Sequence, residues 1–538
     1  MPQAAQRSVL GIDLGTSSVK AVVVTLDGSV AGQATADYPV DSPEPGWSET
    51  SPAQWLAATV TAVRAAVALS GSLPCAIGLC GQMHGVVATD AAGRALRPAM
   101  LWSDARAVSQ LTPYRSLPSS TLARLANPLS PGMAGPMLAW LSVHEAATWA
   151  ATRWALQPKD WLRAQLTGEF ASEPSDASAT LLYDVAAGCW AADVVDALEL
   201  DDTKLPPILA SSDARAGTLT ASAATSLDLP TGIPVAAGAA DTAAAALGGG
   251  LTDPGTVQLT IGTGAQIVRP VAALPVPLHA DPVTHLYRTA TAAGWYTMGA
   301  VLNGGLALGW VRRTLGVTWP ELYAAAATAP RLDDPFFLPH LNGERTPYLD
   351  PAMTAAWTGL NPRHDRQALL RAALEGVAFA LREALGHVLE PAAEPTHLRL
   401  AGGGTTDPGW RQLLADVLGH ALVPVQAGAA SGVGAAMLGA RAADLTVTVG
   451  STEPGPASVP RDVHGDLYGE RYRTFLEEVR AMRGHGNPVV PVESPARDSV
   501  HRDSPPPGTP TSRSPSSASP CQGATRQNTP PRSPRSCR

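Results

Sequence analysis

Residues 9–24, VLGIDLGTSSVKAVVV, and residues 256–270, TVQLTIGTGAQIVRP, share one pattern. Each reads as an apolar strand, a Gly-Thr tip with a small residue, and a second apolar strand, which predicts two β-hairpins with polar tips. A hairpin that recurs in both halves of a chain predicts a duplicated architecture, two similar domains joined near residue 250. The 538 residues, 45% of them apolar, supply enough hydrophobic side chains to give each domain a core.

The remaining segments alternate in the same sense. Residues 52–69 place apolar side chains at helical spacing behind Ser51, a candidate N-cap. Residues 76–89, AIGLCGQMHGVVAT, read as strand, polar break, strand. Residues 233–250 run from a short apolar strand through Gly238 and Asp241 into an Ala-rich helix stopped by glycines. In the second half, 366–390 read as a long helix, and 397–401 as a strand that ends in the glycines 402–404 before a helix from Pro408 to about Leu418. Strands alternating with helices predict an α/β class. From Gly484 onward Pro, Ser and Arg dominate, and the segment 484–538 lacks the apolar residues to fold alone, which predicts a disordered appendage.

Composition narrows the function. With 38 basic against 46 acidic residues and a net charge of −8, nothing predicts a nucleic-acid partner. Five cysteines are too few for a disulfide-stapled scaffold, and Cys75 and Cys80 lack the further His or Cys that a zinc site needs. Apolar runs are interrupted before 18 residues and the first residues carry no signal-length apolar core, so the expectation is a cytoplasmic protein with no membrane segment.

The polar residues fall at the breaks in these apolar elements. Asp13 precedes a tip of Gly15, Thr16, Ser17 and Ser18, with Lys20 beyond. Such a tip offers N–H and O–H donors to phosphate oxygens, and the carboxylate is a ligand for Mg²⁺, although an ordinary turn aspartate fits the hairpin equally well. Gly262-Thr263-Gly264 in the second hairpin offers a matching grip, so two tips facing one cleft would hold a polyphosphate from both sides. Neither is a Walker A loop. Asp241, at a strand end and a helix start, reads first as an N-cap and also as an anion at the place where α/β proteins keep their sites, held deprotonated by the helix N-terminus. Gln82, Met83 and His84 combine neutral hydrogen-bonding groups with an adaptable apolar one, suited to a polyol. Trp102, Asp104 and Arg106 add groups able to face the same pocket, while Glu344-Arg345 reads equally as an interior ion pair.

Taken together, GIDLGTSSVKAVVV, GQMHGVV, RPAMLWSDAR, AAGAADTAAAALGGG, TIGTG, LNGERTP, RAALEGVAFAL and AGGGTTDPGWRQLLADVLG resemble the FGGY carbohydrate kinases, in order from about residue 8 to about 481. Within that family the likeness is greatest to members acting on D-xylulose. The resemblance implies the actin-like fold of sugar kinases and heat-shock ATPases, two ribonuclease-H-type domains flanking a catalytic cleft: 1–250 for sugar and catalysis, 251–483 for nucleotide. It implies transfer of the γ-phosphoryl of MgATP to a terminal hydroxyl of D-xylulose. Carried over by position, Asp241 is the base, Asp13 organises Mg²⁺ and phosphates, Met83 and His84 contact sugar, Thr16 and Thr263 contact phosphates, and Gly305, Gly402 and Gly403 lie near the nucleotide. A lysine usual in the family is Met137 here, and Thr406, Asp407 and Pro408 stand where the family often has Asn or Ser near the adenosine. Competing readings are a family member acting on glycerol, ribulose or gluconate, an actin-fold ATPase switch, and a non-catalytic sugar sensor. Glycerol kinases carry Arg-Glu where this chain has Met83-His84, and a sensor would lack the two aspartates. A homodimer is compatible with the sequence and not specified by it.

Overall fold

The computed structural model describes residues 7–291, 294–389, 395, 397–426, 428–448 and 455–484, and the predicted tail beyond Gly484 lies outside them. Both hairpins form, Ser8–Leu14 with Ser18–Thr25 and Val257–Ile261 with Ala265–Val271. Each then nucleates a sheet of the same construction. In the first, Val30–Asp37 extends the hairpin antiparallel on one side, while Pro74–Gly81 and then Pro234–Ala236 lie parallel on the other. In the second, Trp295–Val301 extends the hairpin and Leu398–Ala401 and Leu422–Pro424 lie parallel to its first strand. The duplication legible in two hairpins therefore extends to five strands in each sheet. Within each sheet the parallel strands place their C-terminal ends together, the place where α/β folds keep their sites.

Helix Pro52–Ser70 covers the first sheet. It is long and apolar enough by composition to cross a bilayer. Its face of Trp55, Ala58, Ala62, Val63 and Ala66 is instead buried with Leu10, Ile12 and Val23 in the core. Ser51 stands at its N-cap without a capping side-chain bond, and Pro52, whose missing N–H is harmless there, begins the helix.

The other face of the first sheet is covered by helix Ala430–Ala442, which comes from late in the chain. Its backbone lies directly against the strands. A Cβ on Gly11 would strike the Gly432 carbonyl, and one on Gly78 would strike that of Ala435. Only small residues allow this approach, which is the reason for the run SGVGAAMLGA. The second half thus returns one helix to the first sheet, and with it Ser431.

Candidate active site

Asp13 is the last residue but one of the first strand, paired in register with Cys80, which in turn pairs with Ala239. Two strand spacings, about 10 Å, therefore separate the backbone of Asp13 from the segment that leads into Asp241. Both residues are half-buried at this strand end. Burial pushes the Asp241 carboxyl up to about 6, and the charge of Asp13 acts in the same direction, against the Thr242 amide and hydroxyl. Burial likewise raises Asp13, opposed by the Ser431 hydroxyl that donates to it, the Cys80 thiol and the charge of Lys20. Two expectations are corrected here. Ala240, not Asp241, is the N-cap of helix Asp241–Gly248, and Asp241 is its first residue, accepting from its neighbour's amide at 2.6 Å. The other is that Asp241 sits above the usual carboxylate range, because desolvation moves it upward, although it is still largely ionised at neutral pH.

Polar side chains from distant segments gather around His84 and Arg345. Met83 is buried, and His84 adopts φ +73, a strained conformation for a residue with a Cβ. His84 Nδ1 is 2.7 Å from the Ala179 carbonyl, which can only accept, so the ring donates there and leaves Nε2 as an acceptor. Burial pulls this imidazole down to about 4, opposed by that bond and aided by the charge of Arg345. Trp102 donates its indole N–H to Thr16 Oγ1 at 3.0 Å, tying this group to the first hairpin tip. Arg345 brings its guanidinium to 5.2 Å from the Trp102 ring and forms no ion pair among the described residues. The expected Glu344–Arg345 pair does not form. Glu344 is occupied by the Leu302, Asn303 and Arg345 N–H groups, and the two side chains diverge.

Two residues assigned to the sugar are committed elsewhere. Asp104 is clamped by the Arg106 guanidinium at 2.7 to 3.0 Å and by the Ser48 amide at 2.7 Å, so it braces the loop of Trp102. Gln82 donates to the Gly15 carbonyl at 3.2 Å and steadies the hairpin tip, joined there by the Tyr38 hydroxyl. Its Oε1 is buried with no partner. Lys20 donates to the Gly428 carbonyl at 2.9 Å, and Ser17 is exposed at the tip.

In the second half a cavity of about 530 Å³ is bounded by Thr263, Gly305, Gly403, Gly404 and Thr406, with Trp319 and Tyr323 as an aromatic wall stacked at 5.5 Å. Gly305 is required by contact: its amide donates to the Gly262 carbonyl at 2.9 Å, and a Cβ would collide with that oxygen. Gly402 has φ +100 and turns the chain away from Ile261. Asp407 does not line the cavity; it caps helix Pro408–Leu418 through the Trp410 amide at 2.9 Å. Met137 is fully buried among apolar side chains, an environment in which an unpaired lysine would be costly. Sequence reasoning missed Ser431, Trp319, Tyr323 and the place of Arg345. The small-residue run after Ser431 was the available signal for the first, while the aromatics gave none.

The model of the FGGY family of carbohydrate kinases, N-terminal domain, matches residues 8–248, and that of the C-terminal domain matches 257–443. A xylulose kinase of Klebsiella pneumoniae is 36% identical over 450 residues, covering 83% of this chain and 91% of that one. A xylulose kinase of Escherichia coli is 36% identical over 418 residues, 77% of this chain and 85% of its own. The crystal structure of xylulose kinase from Rhodospirillum rubrum, 30% identical, superposes with a TM-score of 0.82 over 89% of this chain and 99% of that one.

Proposed function

The chain belongs to the FGGY family of carbohydrate kinases, and we propose that it transfers the γ-phosphoryl group of MgATP to a terminal hydroxyl of D-xylulose, with Asp241 as the base. The single observation that carries this reading is the pair of carboxyls at one strand end, with the polar side chains of His84, Trp102 and Arg345 tied to the first hairpin tip and a glycine and aromatic cavity beside the second. Relatives named for xylulose support the choice of sugar.

Phosphoryl transfer through a loose transition state asks the protein to align reactants, offset charge and exclude water. In this reading residues 1–250 form the sugar-binding and catalytic domain and 251–483 the nucleotide-binding domain, with closure about a hinge near residue 250 excluding water. The base reading needs a carboxyl that is ionised at neutral pH yet able to take a proton, and a value of about 6 suits that task. His84 and Met83 face the sugar, Thr16, Ser17 and Lys20 approach the phosphates from the first hairpin, and Thr263 from the second. Gly305, Gly402 and Gly403 allow close approach of the nucleotide, and Trp319 and Tyr323 flank its base.

The residues present fit Mg²⁺. Among the described residues no cluster of three or more His, Cys, Asp or Glu forms an all-protein cage. Mg²⁺ is held by one or two carboxylates together with phosphate oxygens and waters, and Asp13 would supply the carboxylate. When bound it neutralises phosphate charge. An ADP-release assay over ketoses and polyols, with product mass measured, tests the reading. D-Xylulose should give the highest kcat/KM and a product heavier by one phosphoryl group. A higher kcat/KM on glycerol, ribulose or gluconate overturns the sugar assignment.

A further inference from the structure

Beneath Asp241 lies a charged cluster that the proposed chemistry does not use. Lys159, Asp160, Arg163, Glu173 and Asp176 are all 0% exposed. Lys159 Nζ lies 2.6 Å from Asp160, 3.3 Å from Asp176 and 3.6 Å from Glu173, and Arg163 shares Asp160 at 2.6 Å. Burying so many charges is expensive and is weak evidence for stability alone. Its placement gives it a second consequence.

We propose that Glu173, acting through Ser175 and Ser212, is a positioning residue that fixes the backbone of Asp241 for proton acceptance; this rests on reading Asp241 as the base.

Four donors converge on the Glu173 carboxylate: the Ser175 amide at 2.9 Å and hydroxyl at 2.7 Å, the Asp176 amide at 3.0 Å and the Ser212 hydroxyl at 2.6 Å. Because the Ser175 proton is spent on Glu173, its oxygen is left to accept, and it accepts the Ala240 N–H at 2.9 Å. The Ser212 carbonyl takes the Gly238 N–H at 2.9 Å. The Ala237 carbonyl accepts from Arg163 at 2.7 Å and from Lys159 at 3.5 Å. Three backbone groups in the four residues before Asp241 are thus tied to one buried cluster. Among the described residues the Asp241 carboxyl has only Thr242 as a hydrogen-bond partner, so its direction depends on where this segment is held. Gly238 fits the same account: it adopts φ +84, and a Cβ there would meet the Leu79 carbonyl at 2.5 Å and the Lys159 side chain at 3.0 Å.

The test is Ser175→Ala in the full chain, with Ser175→Thr to restore the hydroxyl. For the alanine variant kcat should fall about 10-fold while KM for both substrates stays within about two-fold, because misplacing one catalytic group costs turnover and not binding. The acid limb of its kcat profile should move below that of the parent, as a loosened Asp241 regains solvent. Threonine should recover most of the rate. A purely structural cluster would lower Tm and leave kcat and the acid limb in place, and that result overturns the proposal. Should the alanine variant fail to fold, Ser175→Cys, similar in volume and a poor acceptor, gives the same readout. Asp241→Asn separates the two ideas: parental turnover in that variant removes the base, whereas its loss beside a normal Ser175→Ala removes only the positioning.

Discussion

The two hairpins enter their sheets in the same way, yet only the first carries a carboxylate at the end of its leading strand. Asp13 stands there, and Thr260 holds the counterpart position in Val257–Ile261. The insertions differ too. The first sheet is interrupted between Pro74–Gly81 and Pro234–Ala236, and this long segment holds His84, Trp102 and the buried cluster under Asp241. The second is interrupted between Trp295–Val301 and Leu398–Ala401, and that segment holds Trp319, Tyr323 and Arg345. Duplication supplies two tips, and in the proposed reading their unequal insertions divide the work between acceptor and donor. Function therefore follows the side chains added to a common scaffold.

The asymmetry breaks most visibly at Asp241→Asn. If the first half owns the proton chemistry, turnover should fall about 10²-fold or more, with both substrates still bound. Stability should move the other way. The carboxyl is raised from 3.8 to about 6 in the fold, so the folded state binds its proton more tightly than the unfolded chain, and stability is lost as pH rises through that interval. At pH 7 the ionised Asp241 is a cost, and the asparagine variant should melt at or above the parent by calorimetry. A variant that melts lower and keeps its rate would reduce Asp241 to a helix residue.

This division was partly legible in the sequence. The hairpins, the strand before Asp241, the helix Arg366–Leu389 and the glycine run after Leu398–Ala401 all follow from apolar period and turn residues, because those signals are local. What local pattern does not encode is which distant segments meet. Asp104 and Arg106 lie two residues apart and look like pocket residues, but their mutual ion pair turns both inward. Ser431 reaches Asp13 from 418 positions away. Glu173 shows nothing in sequence, since its importance comes from the serines that fold against it.

The second half is tested by Gly305→Ala. The added methyl would meet the Gly262 carbonyl and push the second hairpin tip from the helix that begins at Gly305. Overpacking of this kind costs about 2 kcal/mol. Since the displaced tip includes Thr263, KM for ATP should rise about 30-fold while KM for the sugar changes little. An equal rise in both would mean that the cavity beside Thr263 is not a separate nucleotide site.

His84 and Asp241 give the finest discrimination, because two titrating groups border one cleft at different pH. His84→Ala removes an acceptor and should weaken the sugar by about 1.5 kcal/mol, near 10-fold in KM, leaving ATP untouched. Its imidazole is pulled down to about 4, so in the parent it is neutral throughout the range in which the enzyme is assayed. Asp241, at about 6, must lose its proton to accept another. The free-enzyme profile of kcat/KM should therefore bend downward below about pH 6, and the bend should be present in His84→Ala and absent from the residual activity of Asp241→Asn. Across the same interval the sugar affinity itself, measured by direct binding, should stay flat, because the group that touches it does not titrate there. An affinity that falls together with kcat/KM near pH 6 would place the titration in the sugar pocket and return the base assignment to the first hairpin.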